Sequence, residues 1–491
     1  MSSRPQARLY HIVPSPEVLH RQDPEFVSLT LDTSVVLGGH WWGPTKGTSQ
    51  GLSRDRTAPL DLSQPDLSRW AEALAPAMLR MGGTEADRIL YGFAREGPPE
   101  PAPVGAVLVL KGKRWDEFNR WAAARGFSVL FTVSAGPEVR DADGRWTSAG
   151  AERLLRKTVR KGYPVVAWEF GNEVNAYPFL FGLRHAVSPR QYLADFARFA
   201  DLVRRLAPGT RTVGPASAIW PLVGEPNPLI PALGRSPVSA FLDVLSFHYY
   251  PQQSDRGRVA VRRAGETNLL NPRALDGSLR WLRHARRSLQ RGSAATAPIW
   301  LTELGHALYG GQAGVSDTWL STPWWLDQLG LLSHAGVGAL FRQSLVGGDY
   351  GLLDPATWQP RPDYWATVAW KRLMGPLVHA KPLVRGPDRR LRVWHHAWPD
   401  GRSCLVVVNL SRKARARITV EGGVTSWDVL SPAGSWTSRE ATWNGALLSS
   451  LADLVRFGDR TGPAPSLLEL GPLSCAFAEL PQTPHENLAK P

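Results

Sequence analysis

The stretch Val165-Val-Ala-Trp-Glu-Phe-Gly-Asn-Glu173 begins as an apolar run and ends in an amide and a carboxylate. The apolar run predicts a buried strand, and packing alone gives no reason for such a strand to finish in Gly-Asn-Glu. A carboxyl group at the carboxyl end of a barrel strand is well placed to act as a general acid. The stretch therefore indicates an active site that contains Asn172 and Glu173.

A second strand of the same kind lies farther along the chain, in Pro298-Ile-Trp-Leu-Thr-Glu303. Two carboxyl groups that face each other are sufficient for glycoside hydrolysis. The alternative is a pair of unrelated glutamates that cap or form salt bridges. One such strand would leave the two interpretations about equal, whereas the pair favours catalysis.

Short apolar runs alternate with helical periodicity over most of the chain. Helices are expected at 115–125, 189–206, 275–289 and 324–334, and the eight predicted strands are 26–32, 77–84, 127–133, 165–173, 211–215, 243–250, 298–303 and 337–343. This alternation is typical of a (β/α)8 barrel, whose catalytic groups lie at the carboxyl ends of the strands. The residues expected to meet there are Asp32, Thr84, Glu173, Tyr249, Glu303 and Gln343.

The alternation of predicted strands and helices ends after about residue 374, where short strands follow one another without helical crossovers. This pattern predicts an appended C-terminal antiparallel β-sandwich. The predicted organisation is an α/β protein: an N-terminal extended segment (1–20) that can pair with the sandwich, a catalytic barrel (21–375) and the β-sandwich (376–491).

The chain of 491 residues carries a formal net charge of +14, which implies attraction to polyanions. Its basic residues are dispersed, and no nucleic-acid-binding motif accompanies them, so we expect no nucleic-acid partner. No apolar run is long enough to cross a bilayer. An acidic polysaccharide is the expected partner, and a monomer is the expected state.

The N-terminus and the cysteines bear on the compartment. Residues 1–8 lack the apolar core of a secretory signal, so the protein is expected to be intracellular or to lose a signal that this sequence does not contain. Cys404 and Cys475 are too few for a disulfide framework. Two buried free thiols are expected, with one disulfide as the alternative.

Several motifs, in consistent order over residues 8–375, resemble the heparanase family, glycoside hydrolase family 79. They are Leu79-Arg-Met-Gly-Gly-Thr84, Gly171-Asn-Glu-Val-Asn175, Phe247-His-Tyr-Tyr250, Ile299-Trp-Leu-Thr-Glu303, Tyr309-Gly-Gly311, Ser316-Asp-Thr318, Arg342-Gln343, Asp349-Tyr-Gly-Leu-Leu-Asp354 and Pro362-Asp-Tyr-Trp365. The resemblance is weak across the predicted sandwich.

The resemblance implies a retaining endo-β-glucuronidase that needs neither a cofactor nor a metal. Glu173 would be the acid/base, Glu303 the nucleophile, and Asn172 would hold the sugar 2-hydroxyl. The glucuronate carboxylate would meet Gly310, Gly311 and Tyr350. The same sugar would be lined by Asp32, Thr84, Tyr249 and Gln343.

The sequence therefore predicts cleavage of β-glucuronidic bonds in heparan sulfate or a related glycosaminoglycan. An exo-β-glucuronidase is the alternative, and a non-catalytic polyanion-binding barrel is the second one. The Pro-rich stretch at 97–103 is short, so a single uncleaved chain is expected.

Overall fold

The structure is a computed structural model that describes residues 7–48, 52–93, 108–454 and 465–482. The Pro-rich stretch at 97–103 lies outside these residues.

The strands follow in chain order. They are β1 Arg8–Val13, β2 Val18–Arg21, β3 Val27–Asp32, β4 Gly39–His40, β5 Arg56–Thr57, β6 Ala77–Gly82, β7 Ile89–Gly92, β8 Leu108–Lys111, β9 Phe127–Val133, β10 Val165–Phe170, β11 Arg211–Ile219, β12 Val244–Tyr249, β13 Gln252–Gln253, β14 Ile299–Leu304, β15 Ala307–Leu308, β16 Ala339–Arg342, β17 Leu377–His379, β18 Leu383–Arg385, β19 Leu391–Ala397, β20 Ser403–Asn409, β21 Ala416–Val420, β22 Ser426–Pro432, β23 Ala441–Trp443, β24 Ala446–Leu447, β25 Leu468–Leu470 and β26 Cys475–Leu480.

The α-helices alternate with the strands over the first three quarters of the chain. They are α1 Thr33–Leu37, α2 Pro65–Glu72, α3 Gly112–Ala124, α4 Ala149–Lys161, α5 Tyr177–Leu180, α6 Pro189–Leu206, α7 Leu229–Arg235, α8 Glu266–Leu269, α9 Pro272–Leu275, α10 Gly277–Leu289, α11 Thr322–His334 and α12 Pro362–Leu373.

Eight parallel strands close into a barrel in the order β3-β6-β9-β10-β11-β12-β14-β16, with β16 pairing back onto β3. Most of their residues are buried because helices cover the outside and side chains fill the inside. Met78, Leu130, Val213, Trp300 and Phe341 belong to one apolar cluster contributed by different strands. The polar residues at the carboxyl ends of the strands are thereby left to form a site.

The longest helix, α6, shows how sequence sets the outer layer. Ser188 caps it by accepting a hydrogen bond from the Gln191 N–H at 3.2 Å, and Pro189 occupies its first turn. Tyr192 and Phe196, four residues apart, share its buried face. The aromatic rings of this face pack against Phe170 of β10 and so support the strand that leads to Glu173.

The C-terminal part contains two sheets. One has the order β2-β17-β19-β20-β26-β22-β23-β24, and the other has the order β18-β1-β21-β25. Every pairing in them is antiparallel except that of β1 with β21. The predicted (β/α)8 barrel with an appended antiparallel β-sandwich is confirmed. The boundaries 1–20, 21–375 and 376–491 stay predictions.

The barrel and the sandwich meet at helix α11. Asp327 of this helix accepts a hydrogen bond at 2.8 Å from the Arg392 side chain of β19, and the Trp394 ring packs on Gly330. Cys404 and Cys475 are buried and free. They stand at different positions along the pair of β20 and β26, where Cys404 is opposite Glu479 and Cys475 is opposite Val408. Among the described residues, no helix is long and apolar enough to span a membrane.

Candidate active site

Glu173 and Glu303 come from strands on different sides of the barrel and meet at its carboxyl-end face. Glu173 follows β10 after a tight Gly-Asn turn and has a left-handed φ of 53°, with its N–H bonded to the Ala216 carbonyl at 3.1 Å. Glu303 lies within β14. Their oxygens and a nitrogen of His248 all lie within 4.8 Å of one another. The site thus holds two carboxylates close enough to act on one bond.

Arg80 of β6 is the main positive charge beneath these carboxylates. It is fully buried, and its guanidinium lies 2.7 Å from Glu169 and 2.8 Å from Glu303. Burying an arginine is unfavourable unless it is paired and hydrogen-bonded, and here both conditions are met. Arg80 therefore fixes Glu303 from below and compensates its charge.

The Glu303 carboxylate is stabilised in its ionised form. The Tyr250 hydroxyl donates to Oε2 at 2.8 Å, while Arg80 donates to Oε1 at 2.8 Å. Burial alone would raise the pKa of Glu303, but the His248 imidazole and the Arg80 guanidinium hold it below its ordinary value. A carboxylate that is stabilised in its ionised form in this position can act as a nucleophile.

His248 connects Glu173 with Arg80. Its Nε2 lies 3.3 Å from an Arg80 nitrogen, and its Nδ1 lies 3.0 Å from Oε1 of Glu173. A guanidinium can only donate, so Nε2 accepts and Nδ1 carries a proton that it donates to Glu173. His248 was not predicted as a site residue from the sequence, because a buried histidine at the end of a strand is more often structural.

The side chain of Asn172 has a fixed orientation. Its Oδ1 accepts hydrogen bonds from Arg80 at 2.9 Å and from the Gly83 N–H at 3.1 Å. The backbone N–H of Asn172 donates to Asp87 at 2.6 Å. Because the oxygen faces these donors, the amide NH₂ group is the part of Asn172 that lines the pocket.

Asp32 and Gln343 stand on the opposite side of the pocket, at the ends of the adjacent strands β3 and β16. The Gln343 side-chain amide donates to Asp32 and lies 3.3 Å from the Tyr350 hydroxyl. Burial and the charge of Glu303 raise the pKa of Asp32 well above its ordinary value. Gly83 approaches Asp32 so closely that a Cβ would lie 1.7 Å from its Oδ1, and only glycine fits there.

The pocket has a volume of about 60 Å³. Its lining includes seven residues predicted from the sequence, which are Asp32, Thr84, Asn172, Glu173, Glu303, Gln343 and Tyr350. Gly310 and Gly311 lie just behind this lining, against Trp42 and Tyr350 respectively. No acceptor for their N–H groups is found among the described residues.

One predicted site residue lies outside the lining of this pocket. Tyr249 does not line the pocket, and its hydroxyl instead points at α10, where a Cβ on Gly277 would be 2.7 Å away. Successive residues of a strand point to opposite sides, so the next residue, Tyr250, faces the pocket. The strand alternation could have identified Tyr250 if an inward neighbour such as His248 had been recognised first.

Glu173, His248 and Glu303 together also have the donor types of a metal site. A dication between them would lie beside the Arg80 guanidinium, which already contacts Glu303 and His248. Like charges at such distances repel strongly in a buried site. We therefore assign no metal to this cluster.

Residues 12–330 match the profile of "Glycosyl hydrolase family 79, N-terminal domain". The chain is similar to Heparanase-like protein 1 of Arabidopsis thaliana, with 29% identity over 82% of this chain and 73% of that protein. It is also similar to Baicalin-beta-D-glucuronidase of Scutellaria baicalensis, with 26% identity over 94% of this chain and 90% of that protein.

Among solved structures, the fold is similar to a 4-O-alpha-L-rhamnosyl-beta-D-glucuronidase from Fusarium oxysporum. The TM-score is 0.64 at 15% identity, and the match covers 96% of this chain and 100% of that one. At this identity the similarity concerns the fold.

Proposed function

Because the chain belongs to glycosyl hydrolase family 79 and is a glycoside hydrolase, we propose that it is a β-glucuronidase that cleaves with retention of configuration. The observation that supports retention best is the close approach of the Glu173 and Glu303 carboxylates, within 4.8 Å between oxygens. Retaining enzymes have carboxyl groups about 5–5.5 Å apart, whereas inverting enzymes need about 6.5–9.5 Å for a water molecule.

In the first step, an Oε of Glu303 attacks the anomeric carbon, and the bond to the leaving oxygen breaks. Glu173 gives its proton to that oxygen, so the leaving alcohol departs neutral and a covalent glycosyl ester remains on Glu303. In the second step, Glu173 removes a proton from water, which attacks the anomeric carbon and releases Glu303. The low pKa of Glu303 supports this division of roles.

His248 and Asn172 support the same reaction. The Nδ1–H of His248 donates to Oε1 of Glu173, which holds the carboxyl group in place and leaves Oε2 for the leaving oxygen. The Asn172 amide NH₂ faces the pocket next to Glu173, where it can donate to the sugar 2-hydroxyl. Hydrogen bonds to this hydroxyl strengthen in the transition state.

Recognition of glucuronate is assigned to the Tyr350 side of the pocket. Two N–H groups without an acceptor, those of Gly310 and Gly311, lie beside Trp42 and Tyr350. Consecutive N–H groups in left-handed or turn conformations bind anions, and the Tyr350 hydroxyl adds a third donor. Asp32, Thr84 and Gln343 would hold the remaining hydroxyls.

The substrate class we propose is a glucuronate-containing glycan. Relatives named Heparanase and Baicalin-beta-D-glucuronidase support a glycosaminoglycan and a small glucuronide as the two candidate substrates. Endo cleavage of heparan sulfate, predicted from the sequence, stays a prediction. Release of a terminal glucuronate is the second mode.

Proton NMR during hydrolysis of 4-nitrophenyl β-D-glucuronide tests the proposal. We expect the β-anomer of glucuronic acid to form first and then to mutarotate. The variants Glu303→Ala and Glu173→Ala give a second readout with azide, which should yield the α-azide with the first and the β-azide with the second. An α-anomer as first product would show inversion, and absence of turnover by a folded wild-type protein would refute the glucuronidase assignment.

A further inference from the structure

One segment of the chain crosses above the pocket. It leaves the end of α1 at Gly38, forms the hairpin of β4 and β5, and returns at Thr57, with residues 49–51 outside the described part. We call residues 38–48 and 52–57 the roof segment. It supplies five of the residues that line the pocket, namely His40, Trp41, Trp42, Leu52 and Ser53.

The roof segment is attached first to the loop that follows β14. The Trp42 ring packs on Tyr309 with 5.2 Å between ring centroids. Its Cβ lies so close to Gly310 that a Cβ there would be 2.3 Å away, and Gly310 has a left-handed φ of 80°. Only glycine allows this contact without strain, so the sequence of this loop is adapted to the tryptophan above it.

A second attachment is to the loop that follows β12. The Gly47 N–H donates to the Arg256 carbonyl at 2.9 Å, and the Arg258 side chain donates to the Gly47 carbonyl at 3.0 Å. The Arg256 guanidinium in turn contacts Asp349 at 2.5 Å and the Gly311 carbonyl at 2.9 Å. Both arginines are therefore engaged in internal contacts that hold the roof segment.

The third attachment lies on the side of Glu173. Leu52 packs against an apolar cluster of Ala176, Leu180 and Ala218. Ala176 and Leu180 follow Glu173 in the chain, and Ala218 belongs to β11. The roof segment is therefore joined through α1 to Asp32 at one end of the pocket, and through Leu52 it reaches the Glu173 side at the other. Ser53 also bonds to the Trp41 carbonyl, which holds the two arms of the segment together.

We propose that the roof segment restricts the enzyme to glucuronate units at the non-reducing end of a glycan; this rests on the β-glucuronidase function proposed above. A glycan bound through its interior must leave the pocket at both ends, and the roof segment occupies the space along which a second sugar would continue beyond Asp32. The enzyme accordingly removes one glucuronate at a time.

The order of the strands in the barrel shows which end of the pocket the roof segment closes. Glu173, which protonates the leaving group, stands at the end of β10, and Asp32 and Gln343 stand at the ends of β3 and β16, across the barrel. The leaving-group side of the sugar therefore faces β10 and its 4-hydroxyl side faces β3. Trp41 and Trp42 line the pocket on this side, where the Trp41 ring lies against Gly347 after β16, and they block extension from the 4-hydroxyl.

The test compares two oligosaccharides that differ at one position. One ends in β-glucuronate, and the other carries a further sugar on the 4-hydroxyl of that glucuronate. We expect mass spectrometry to show free glucuronate from the first and cleavage of the capped one to be at least about 100-fold slower. Equal cleavage of both, or internal fragments from heparan sulfate, would overturn the proposal.

Variants assign the effect to the roof segment. Trp42→Ala should raise the rate on the capped oligosaccharide relative to the uncapped one by at least about tenfold, because it removes the largest obstacle at this end. Trp436→Ala, a partly buried tryptophan of the sandwich, serves as the matched control and should leave the ratio unchanged. An unchanged ratio in Trp42→Ala would refute the role of the roof segment.

The experiments distinguish failure of the roof proposal from failure of the proposed β-glucuronidase function. Hydrolysis of 4-nitrophenyl β-D-glucuronide together with efficient cleavage of the capped oligosaccharide would overturn the roof proposal alone. No hydrolysis of the aryl glucuronide by the wild type would overturn the proposed function, and the roof proposal with it.

Discussion

The hydroxyl of Tyr250 donates to the ionised form of Glu303 at 2.8 Å. We predict that Tyr250→Phe raises the pKa of Glu303, so that the acidic limb of the kcat/KM profile moves to higher pH. A hydrogen bond to a charged group is worth about 1.5–3 kcal/mol, so the rate should fall about 10- to 150-fold. Tyr249→Phe on the same strand is the control, since that hydroxyl faces α10. A pH profile that is identical in both variants would contradict this prediction.

The hydroxyl of Tyr350 is assigned to the substrate carboxylate. Tyr350→Phe should therefore slow cleavage of an aryl glucuronide by about 1.5–3 kcal/mol while changing cleavage of the corresponding aryl glucoside much less. The wild type should prefer the glucuronide strongly, because a glucoside leaves the pocket donors unpaired. The measurement is kcat/KM for both substrates with both proteins. Equal turnover of glucoside and glucuronide by the wild type would show that this side of the pocket has another role.

Some residues of the site could be predicted from the sequence, and others could not. Glu173 and Glu303 could be predicted because a carboxylate at the end of an apolar strand is unexpected. Arg80, by contrast, lies within such a strand, and its importance follows only from the distances to Glu169 and Glu303. Tyr249 and Tyr250 are adjacent and point to opposite sides of the strand. The sequence spacing alone does not show which of the two side chains faces the pocket.

At the scale of elements, the barrel strands were predictable because each is a short apolar run between helices. The third strand, Phe127–Val133, and helix α6, Pro189–Leu206, coincide with their predicted ranges. The hairpin of β4 and β5 was not predicted, because its strands have two residues each and its stability comes from contacts with distant loops. The roof segment could therefore not be predicted from the sequence.

The sheet that contains β17 and β19 carries a buried histidine pair. His395 is 5% exposed, stacks on His379 with 4.0 Å between ring centroids, and contacts the Ser403 hydroxyl at 2.6 Å. Burial, with some repulsion from His379 and His396, lowers the pKa of His395 to about 3. In the unfolded chain a histidine titrates near 6.5, so below that pH the unfolded state binds the proton first.

Stability should therefore fall as the pH is lowered from about 6.5 towards 3, by up to about 1.4 kcal/mol per pH unit from this histidine. Thermal unfolding of the wild type and of His395→Gln across pH 4–8 measures the effect. The variant should have the shallower dependence on pH, since it has lost one titrating group. Parallel curves for the two proteins would show that His395 does not contribute.

At the scale of the whole molecule, the first described strand is part of the C-terminal sandwich. β1 pairs with β18 and β21, which lie 370 or more residues away in sequence, and Ile12 in β1 is fully buried. Ile12→Ala should lower the free energy of unfolding by about 2–5 kcal/mol, because it leaves a cavity between the sheets. Leu9→Ala on the same strand is the control, as Leu9 is 63% exposed. Denaturant unfolding compares the two, and equal effects would contradict the predicted role of β1.

The two buried cysteines make the molecule convenient for site-specific labelling. Burial raises the pKa of the Cys404 and Cys475 thiols well above the ordinary value, and the thiolate is the form that reacts with maleimides. A cysteine introduced at the exposed position of Lys46, in the roof segment, would therefore be modified selectively in the folded protein. A fluorophore placed there would report by its anisotropy how the segment moves while a glycan enters and leaves, without first replacing either native cysteine.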